Sequence, residues 1–140
     1  MATLPQITLD FNHKINLSNS GGALSSDTGE FLFREFDEKI GFSQTLAEHL
    51  KLNDSRSYFL YSNENLLRQK IYQTIAGYSE DDAADQLTND PVFSQIIGTP
   101  ALASQPSLSR FYRRFDEKSI DHLHQANQEL LDKIHAYRKS

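Results

Sequence analysis

The 140-residue chain has no cysteine, no tryptophan and a single methionine. The lack of cysteine excludes disulfides, thiolate catalysis and zinc sites that depend on cysteine ligands. No stretch approaches the ~20 apolar residues that a membrane-spanning helix needs, and no secretory signal pattern opens the chain. These absences predict a cytoplasmic protein without a membrane partner, of a length that suits one compact domain.

Acidic residues are missing from one region of the chain. Although the net charge is -5, no Asp or Glu occurs from Pro91 to Phe115. The pI of about 5.4 argues against a protein that coats nucleic acid through its overall charge. A local cationic surface on an acidic protein instead indicates a nucleic-acid contact confined to one patch.

The apolar pattern is mainly helical. Alternation of Ile7, Leu9 and Phe11 predicts a strand over 6–11, and a loop rich in Ser, Asn and Gly follows over 16–26. The sequence predicts a mainly α, multi-helix domain with a helix-turn-helix-like element, a short N-terminal strand and a long C-terminal helix. The seven helices are predicted to begin near Asp27, Ser43, Ser62, Ser79, Asp90, Ser107 and Glu117.

Capping residues and apolar stripes define these helices. Asp27 with Glu30, Ser62, the 79–82 segment and Asp90 before Pro91 are the predicted N-terminal caps. The segment 58–61 is predicted to be a small strand or an extended linker. The apolar stripe predicted for the first helix consists of Leu32, Phe36 and Ile40.

The helix predicted from Ser107 has two chemically different faces. Successive helical residues turn by about 100°, which separates the aromatic side chains from the arginines. The predicted inner face comprises Leu108, Phe111, Tyr112 and Phe115. The predicted outer face comprises Arg110, Arg113 and Arg114.

This outer face has the chemistry for contacting DNA. Guanidinium groups suit phosphates and guanine edges, and Gln105, Ser107 and Ser109 could donate to phosphates or read bases. The helix over 91–97 with the 98–106 connection resembles a helix-turn-helix with a long turn. The alternative is an ordinary surface helix with a solvated arginine face.

Two further helices carry predictions that stay open. Arg68 and Lys70, with Gln69, Gln73 and Thr74, could contact backbone phosphates, or they could be the polar outside of a core helix. In the last helix, apolar spacing predicts a coiled-coil seam, and hence a homodimer through residues 117–137. The alternatives are packing within its own domain and a connector to a following domain. The seam consists of Ile120, Leu123, Asn127, Leu130, Ile134 and Tyr137.

No catalytic or metal site emerges from the residue pattern. His122 and His124 are two apart on a helix and therefore point to different faces. The acids at 80–82 and Asp85 are explained by a helix N-terminus, where the dipole favours carboxylates. There is no glycine-rich phosphate loop and no nucleophile elbow, so the sequence predicts no cofactor for this chain.

Several segments together resemble the N-terminal region of bacterial insertion-sequence transposases of the DDE class. They follow one another in an order and spacing that cover nearly the whole chain. The segments are 24–29 (LSSDTG), 34–38 (REFDE), 66–73 (LLRQKIYQ), 76–78 (AGY), 81–85 (DDAAD), 89–91 (NDP) and 102–110 (LASQPSLSR).

The resemblance implies a domain plan and a function. It implies an arm over 1–26, a DNA-binding domain over 27–115 and a connector helix over 116–140 that leads toward a missing RNase H-like domain. Double-stranded DNA at the element's terminal inverted repeats is the implied partner. The divalent metal and catalytic carboxylates of the class are expected only in that missing domain, because no position of this sequence matches them.

Overall fold

The fold is built mainly from helices. The computed structural model describes residues 7–17 and 29–139, and seven helices lie in the second range. The predicted mainly helical class is confirmed. The helices are α1 (Glu30–Ile40), α2 (Phe42–His49), α3 (Asn63–Ile75), α4 (Ala83–Leu87), α5 (Pro91–Ile97), α6 (Gln105–Tyr112) and α7 (Glu117–Lys139).

The first described range forms a small hairpin. Strand β1 (Ile7–Thr8) pairs antiparallel with β2 (Asn16–Leu17), so part of the predicted 16–26 loop is a strand. The predicted strand over 6–11 is reduced to these two residues of β1. The Asp10 amide donates to the Glu35 carboxylate at 2.7 Å, which ties the hairpin to α1. Leu9 is buried beside this contact.

Helix α3 lies at the centre of the packing. It contacts α2, α5 and α6, while α1 packs against α5 and α4 packs against α6. Leu66 and Leu67 of α3 belong to one apolar cluster with Leu108 and Phe111 of α6. Tyr72, further along α3, belongs to a second cluster formed largely by α5. Because α3 joins both clusters, it connects the elements on either side of the 98–104 turn.

Two predicted caps are confirmed and one is wrong. The Ser62 hydroxyl accepts a hydrogen bond from the Asn65 amide, and the Asp90 carboxylate caps α5 at Val92. At the start of α4, Asp82 occupies the N-cap position but makes no side-chain cap bond. The preceding acid, Asp81, bonds side chains of α3 and α6 instead. The predicted cap at residue 27 lies outside the described residues.

Helix α1 is rotated relative to the predicted stripe. Leu32 and Phe36 are 59% and 55% exposed, so the stripe is wrong at these two positions. The buried face instead carries Asp37, whose carboxylate accepts from the Ser43 amide, the Ser43 hydroxyl and the Tyr72 hydroxyl at 2.7–2.9 Å. A buried carboxylate requires such donors, and they lie on α2 and α3. Satisfying Asp37 therefore fixes the inward face of α1.

Helix α7 packs within its own chain, mainly against α2. His49 Nε2 lies 2.8 Å from a carboxylate oxygen of Glu129, a contact that links the two helices. Its inward side chains are Ser119, Leu123, Ala126 and Leu130. The predicted seam positions Ile120, Asn127 and Tyr137 are exposed. The buried stripe is thus shifted from the predicted seam, because small Ala126 lets α7 approach the apolar core closely.

Two glutamines of α3 are buried, which the sequence did not predict. Gln69 is 1% exposed, and Gln73 is fully buried. The Gln69 side-chain amide donates to the Ala103 carbonyl at 2.9 Å and accepts from the Ala103 amide at 2.9 Å. Gln69 therefore holds the turn before α6, and neither buried side chain is available for phosphates.

Replacing Gln69 with Leu should lower the free energy of unfolding by about 2–4 kcal/mol. The substitution leaves two buried peptide groups of Ala103 without partners, at ~1–3 kcal/mol each. Urea denaturation followed by circular dichroism measures the change. The matched control, Gln125→Leu, lies on the exposed side of α7 and should change stability little. Equal midpoints for the two variants would contradict the assigned role of Gln69.

Candidate nucleic-acid interface

The start of α6 is held from three sides. Ser104 is the N-cap, and its hydroxyl accepts from the Ser107 amide. The Asp85 carboxylate on α4 accepts from the Gln105 amide at 3.1 Å. The Gln69 amide fixes the backbone of Ala103 immediately before the cap. The helix therefore projects from the body of the protein in a defined direction.

Two apolar side chains anchor α6. Leu108 and Phe111 are almost completely buried, and burial of such side chains contributes about 1.5–3 kcal/mol each. Phe115 stacks edge-on against Phe111 with ring centroids 5.1 Å apart. Tyr112 lies at the border, since its ring is 36% exposed and its hydroxyl donates to Asp81 at 2.9 Å. The predicted inner face is thus narrower than the sequence suggested.

Arg110 and Arg113 stand on the exposed side of α6. The Arg113 side chain makes no hydrogen bond or ion pair within residues 7–17 and 29–139. Arg110 donates to the Ser107 hydroxyl at 3.3 Å, and Gln105 donates to the Ser109 hydroxyl at 3.2 Å. These side chains surround a shallow depression of 340 Å³, which we call the α6 depression. Its lining residues are Gln105, Pro106, Ser109, Arg110 and Arg113.

Arg114 differs from the other two arginines because it is half-buried. Its Nη1 donates to the Asn63 side-chain carbonyl at 2.7 Å, at the start of α3. Burial lowers the pKa of Arg114, and the nearby charges of Arg56 and Arg110 lower that pKa further. The guanidinium group remains charged in proteins. Arg114 is therefore a positively charged side chain that is held in place between the end of α6 and the start of α3.

Arg56 was missed by the sequence reasoning. It lies in the segment between α2 and α3, where no periodic pattern indicates which way a side chain points. Its guanidinium donates to both Asp54 carboxylate oxygens, at 2.7 and 2.8 Å, and to the Tyr61 carbonyl at 3.0 Å. It also lies over the Phe59 ring. The one available signal was the spacing of Asp54 and Arg56, two residues apart.

The second basic patch predicted on α3 is engaged within the chain. Arg68 pairs with Glu64 at 3.0 Å and also donates to the Ser43 hydroxyl. Lys70 pairs with Asp81 at 2.9 Å, beneath the Tyr112 ring. DNA contact by Arg68 and Lys70 stays a prediction that would require these bonds to open.

The described part of the chain shows neither a metal-binding cluster nor a membrane-spanning helix. Residues 7–17 and 29–139 contain no group of three or more His, Asp or Glu side chains placed to hold a metal ion. Among the same residues, no helix is long and apolar enough to cross a membrane.

Replacing Asp54 with Asn should reduce stability at neutral pH. The hydrogen bonds from Arg56 hold the pKa of Asp54 far below its usual range. A carboxyl with a depressed pKa stabilises the folded state above its unfolded pKa of about 3.9, and that contribution is lost as the pH falls through the folded value. The stability gap to wild type should therefore be largest at neutral pH and narrow below pH ~4.

Urea denaturation at a series of pH values, from about 3 to about 7, measures this gap across the pKa of a free aspartate. Asp121→Asn, on the exposed side of α7, is the control and should leave stability unchanged across the series. A stability difference between Asp54→Asn and wild type that stays constant with pH would show that the Asp54 charge does not stabilise the fold.

Comparison with known proteins identifies the family. A family model described as transposase DDE domain group 1 matches residues 7–140. No curated protein sequence and no solved structure matches the chain. The match covers the hairpin and all seven described helices, and it agrees with the resemblance drawn from the order and spacing of short segments. The chain belongs to the transposase DDE domain group 1 family.

Proposed function

We propose that the chain is the DNA-binding N-terminal portion of a transposase and recognises the terminal inverted repeats of a mobile element. The carrying observation is the rigid, cationic outer side of α6, on which Arg113 has no partner among the described residues. No acid occurs from 91 to 115, and among the described residues no carboxylate forms an ion pair with Arg110, Arg113 or Arg114, although that of Asp85 accepts from the backbone at the start of α6. Family membership supports a role in transposition.

In this proposal α5 and α6 act as a helix-turn-helix-like unit. Four residues of α5 are buried, so α5 is a supporting helix rather than a contact surface. Helix α6 lies against the duplex, where Arg110 and Arg113 reach base edges or phosphates. Gln105, Ser107 and Ser109 assist near the start of the helix. The supporting residues of α5 are Val92, Phe93, Ile96 and Ile97.

We assign DNA binding rather than strand cleavage to this stretch of the transposase. The DNA-binding unit covers residues 27–115, and α7 braces it by packing on α2. In this proposal the divalent metal of the DDE class and the carboxylates that hold it belong to another part of the transposase. No cofactor is proposed for these 140 residues.

Replacing Arg113 or Arg110 with Ala should weaken binding to an inverted-repeat duplex. Each residue that contacts a base should cost about 1–3 kcal/mol, and the preference over a scrambled duplex should fall with it. Fluorescence anisotropy with labelled duplexes measures both quantities. Arg138→Ala removes the same charge from the end of α7 and should leave affinity unchanged. Unchanged binding in both α6 variants would refute the assignment of this helix.

Dimerisation through the C-terminal helix is the second candidate function. Leu123 and Leu130 face the chain's own core, so a dimer would have to use exposed Ile120, Leu131 and Tyr137. Ile120 and Leu131 lie on the outer side of α7, whereas Tyr137 borders a cavity with Phe36 and Ile40 of α1. These exposed apolar side chains are the observation that favours a dimer.

Sedimentation analysis over a range of concentrations tests this candidate. If α7 forms the dimer interface, a concentration-dependent dimer should dissociate when Ile120→Asp and Leu131→Asp are combined. The reason is that two buried carboxylates would oppose each other across the interface. A strict monomer at every concentration argues against the candidate, as does a dimer that survives the double substitution.

A further inference from the structure

A second cationic cavity lies beside the α6 depression. It occupies 220 Å³ between α6 and the segment that joins α2 to α3, residues 50–62, which we call the 50–62 loop. Arginines from both elements meet at this cavity. The residues that carry the argument are Arg56, Phe59, Leu60, Ser107, Arg110 and Arg114.

The cavity has more guanidinium groups than carboxylates to pair with them. Of the three guanidinium groups, only that of Arg56 pairs with a carboxylate among the described residues, namely Asp54. Burial lowers the pKa of Arg114, and the charges of Arg56 and Arg110 act in the same direction, against the opposing charge of Asp54. An anion in the cavity would relieve the repulsion between these guanidinium groups, and a phosphate matches the planar donors of arginine.

The arginines are held in place before any ligand arrives. Asn63 accepts from Arg114 at 2.7 Å and from Arg56 at 3.2 Å through the same side-chain oxygen. Asn63 in turn donates to Asp54 at 3.0 Å. An arginine side chain has five N–H donors, so one bond to Asn63 leaves most of the Arg114 donors for a ligand. Such preorganisation reduces the entropy cost of binding.

The rim of the cavity is apolar and exposed. Phe59 and Leu60, which line the cavity, are 49% and 74% exposed. A free phosphate ion would offer these side chains nothing to contact. A nucleotide chain alternates phosphates with sugars and bases, whose faces pack against aromatic and apolar groups. The combination of cavity and rim therefore favours DNA over a small anion.

We propose that this cavity binds one phosphodiester group of the DNA backbone, with Arg114 and Arg110 donating to its oxygens. Phe59 and Leu60 lie against the neighbouring deoxyribose. The inference rests on the proposed function and adds the 50–62 loop to α6 as a second DNA-contacting element. A phosphate contact sets the register of a protein on the duplex without reading sequence. The cavity should therefore act on any duplex.

The test measures how salt affects affinity for an inverted-repeat duplex and a random duplex. Arg114→Gln should make the slope of log K against log salt shallower by about 0.9 on both duplexes, because one phosphate is no longer neutralised. Arg114→Lys keeps the charge and should keep the slope. Arg138→Gln removes a distant charge from α7 and should also leave the slope unchanged.

A second variant avoids the hydrogen bond that Arg114 makes with Asn63. Leu60→Glu places a carboxylate on the exposed rim and should weaken binding to both duplexes by repelling the phosphate. Gln125→Glu adds the same charge to the exposed side of α7 and should have a much smaller effect. Comparing Leu60→Glu with Gln125→Glu tests the cavity even if Arg114→Gln fails to fold.

The outcomes show whether the cavity proposal, the proposed function or both are wrong. A shallower slope on both duplexes with no preference for the inverted repeat would support the cavity and refute the proposed function. A preference for the repeat with an unchanged slope in Arg114→Gln would overturn the cavity alone, as would equal effects of Leu60→Glu and Gln125→Glu. A wild-type chain that binds neither duplex would overturn both.

Discussion

The paired hydrogen bonds between the Gln69 side chain and the Ala103 backbone are the constraint on which the candidate interface depends. They connect the central helix α3 to the turn that precedes α6, in a place from which water is excluded. A side-chain amide satisfies both the N–H donor and the C=O acceptor of one residue, as a neighbouring strand would. The direction in which α6 leaves the protein body is thereby tied to the core.

Arg110 near the end of α6, and Arg113 and Arg114 just beyond it, have different surroundings although they lie within five residues. Arg113 is exposed and unpaired within the described part of the chain, Arg110 borders two concave surfaces, and Arg114 is fixed by Asn63. Arg113 is therefore a cation without a fixed partner in the described part of the chain, whereas Arg114 is a cation that Asn63 holds in place. In contrast, Arg68 pairs with Glu64 on the same helix and donates to Ser43 of α2, and Lys70 pairs with Asp81, so both of these cations are engaged within the chain.

Local rules predicted much of the secondary structure. The caps at Ser62 and Asp90, like the helical spacing of Leu108 and Phe111, involve residues within a few positions of each other, so the sequence alone sufficed. The stripe on α1 was wrong at Leu32 and Phe36, and the buried side of α7 is shifted from the predicted seam, because each helix turned toward partners distant in sequence. Asp37 is satisfied by donors on α2 and α3, and Ala126 allowed α7 to approach the core. The spacing of apolar residues cannot predict which face of a helix turns inward in these cases, because it takes no account of polar side chains that become buried.

The sequence by itself determined the mainly helical class, the acid-free region and the transposase resemblance, because each is written in residue order and composition. Only the tertiary structure decided which cations remain available, because pairing depends on distances between segments far apart in the chain. Arg56 is the clearest case. It lies in a segment without periodicity, and only folding brings it to the same cavity as Arg110 and Arg114, about fifty residues further along.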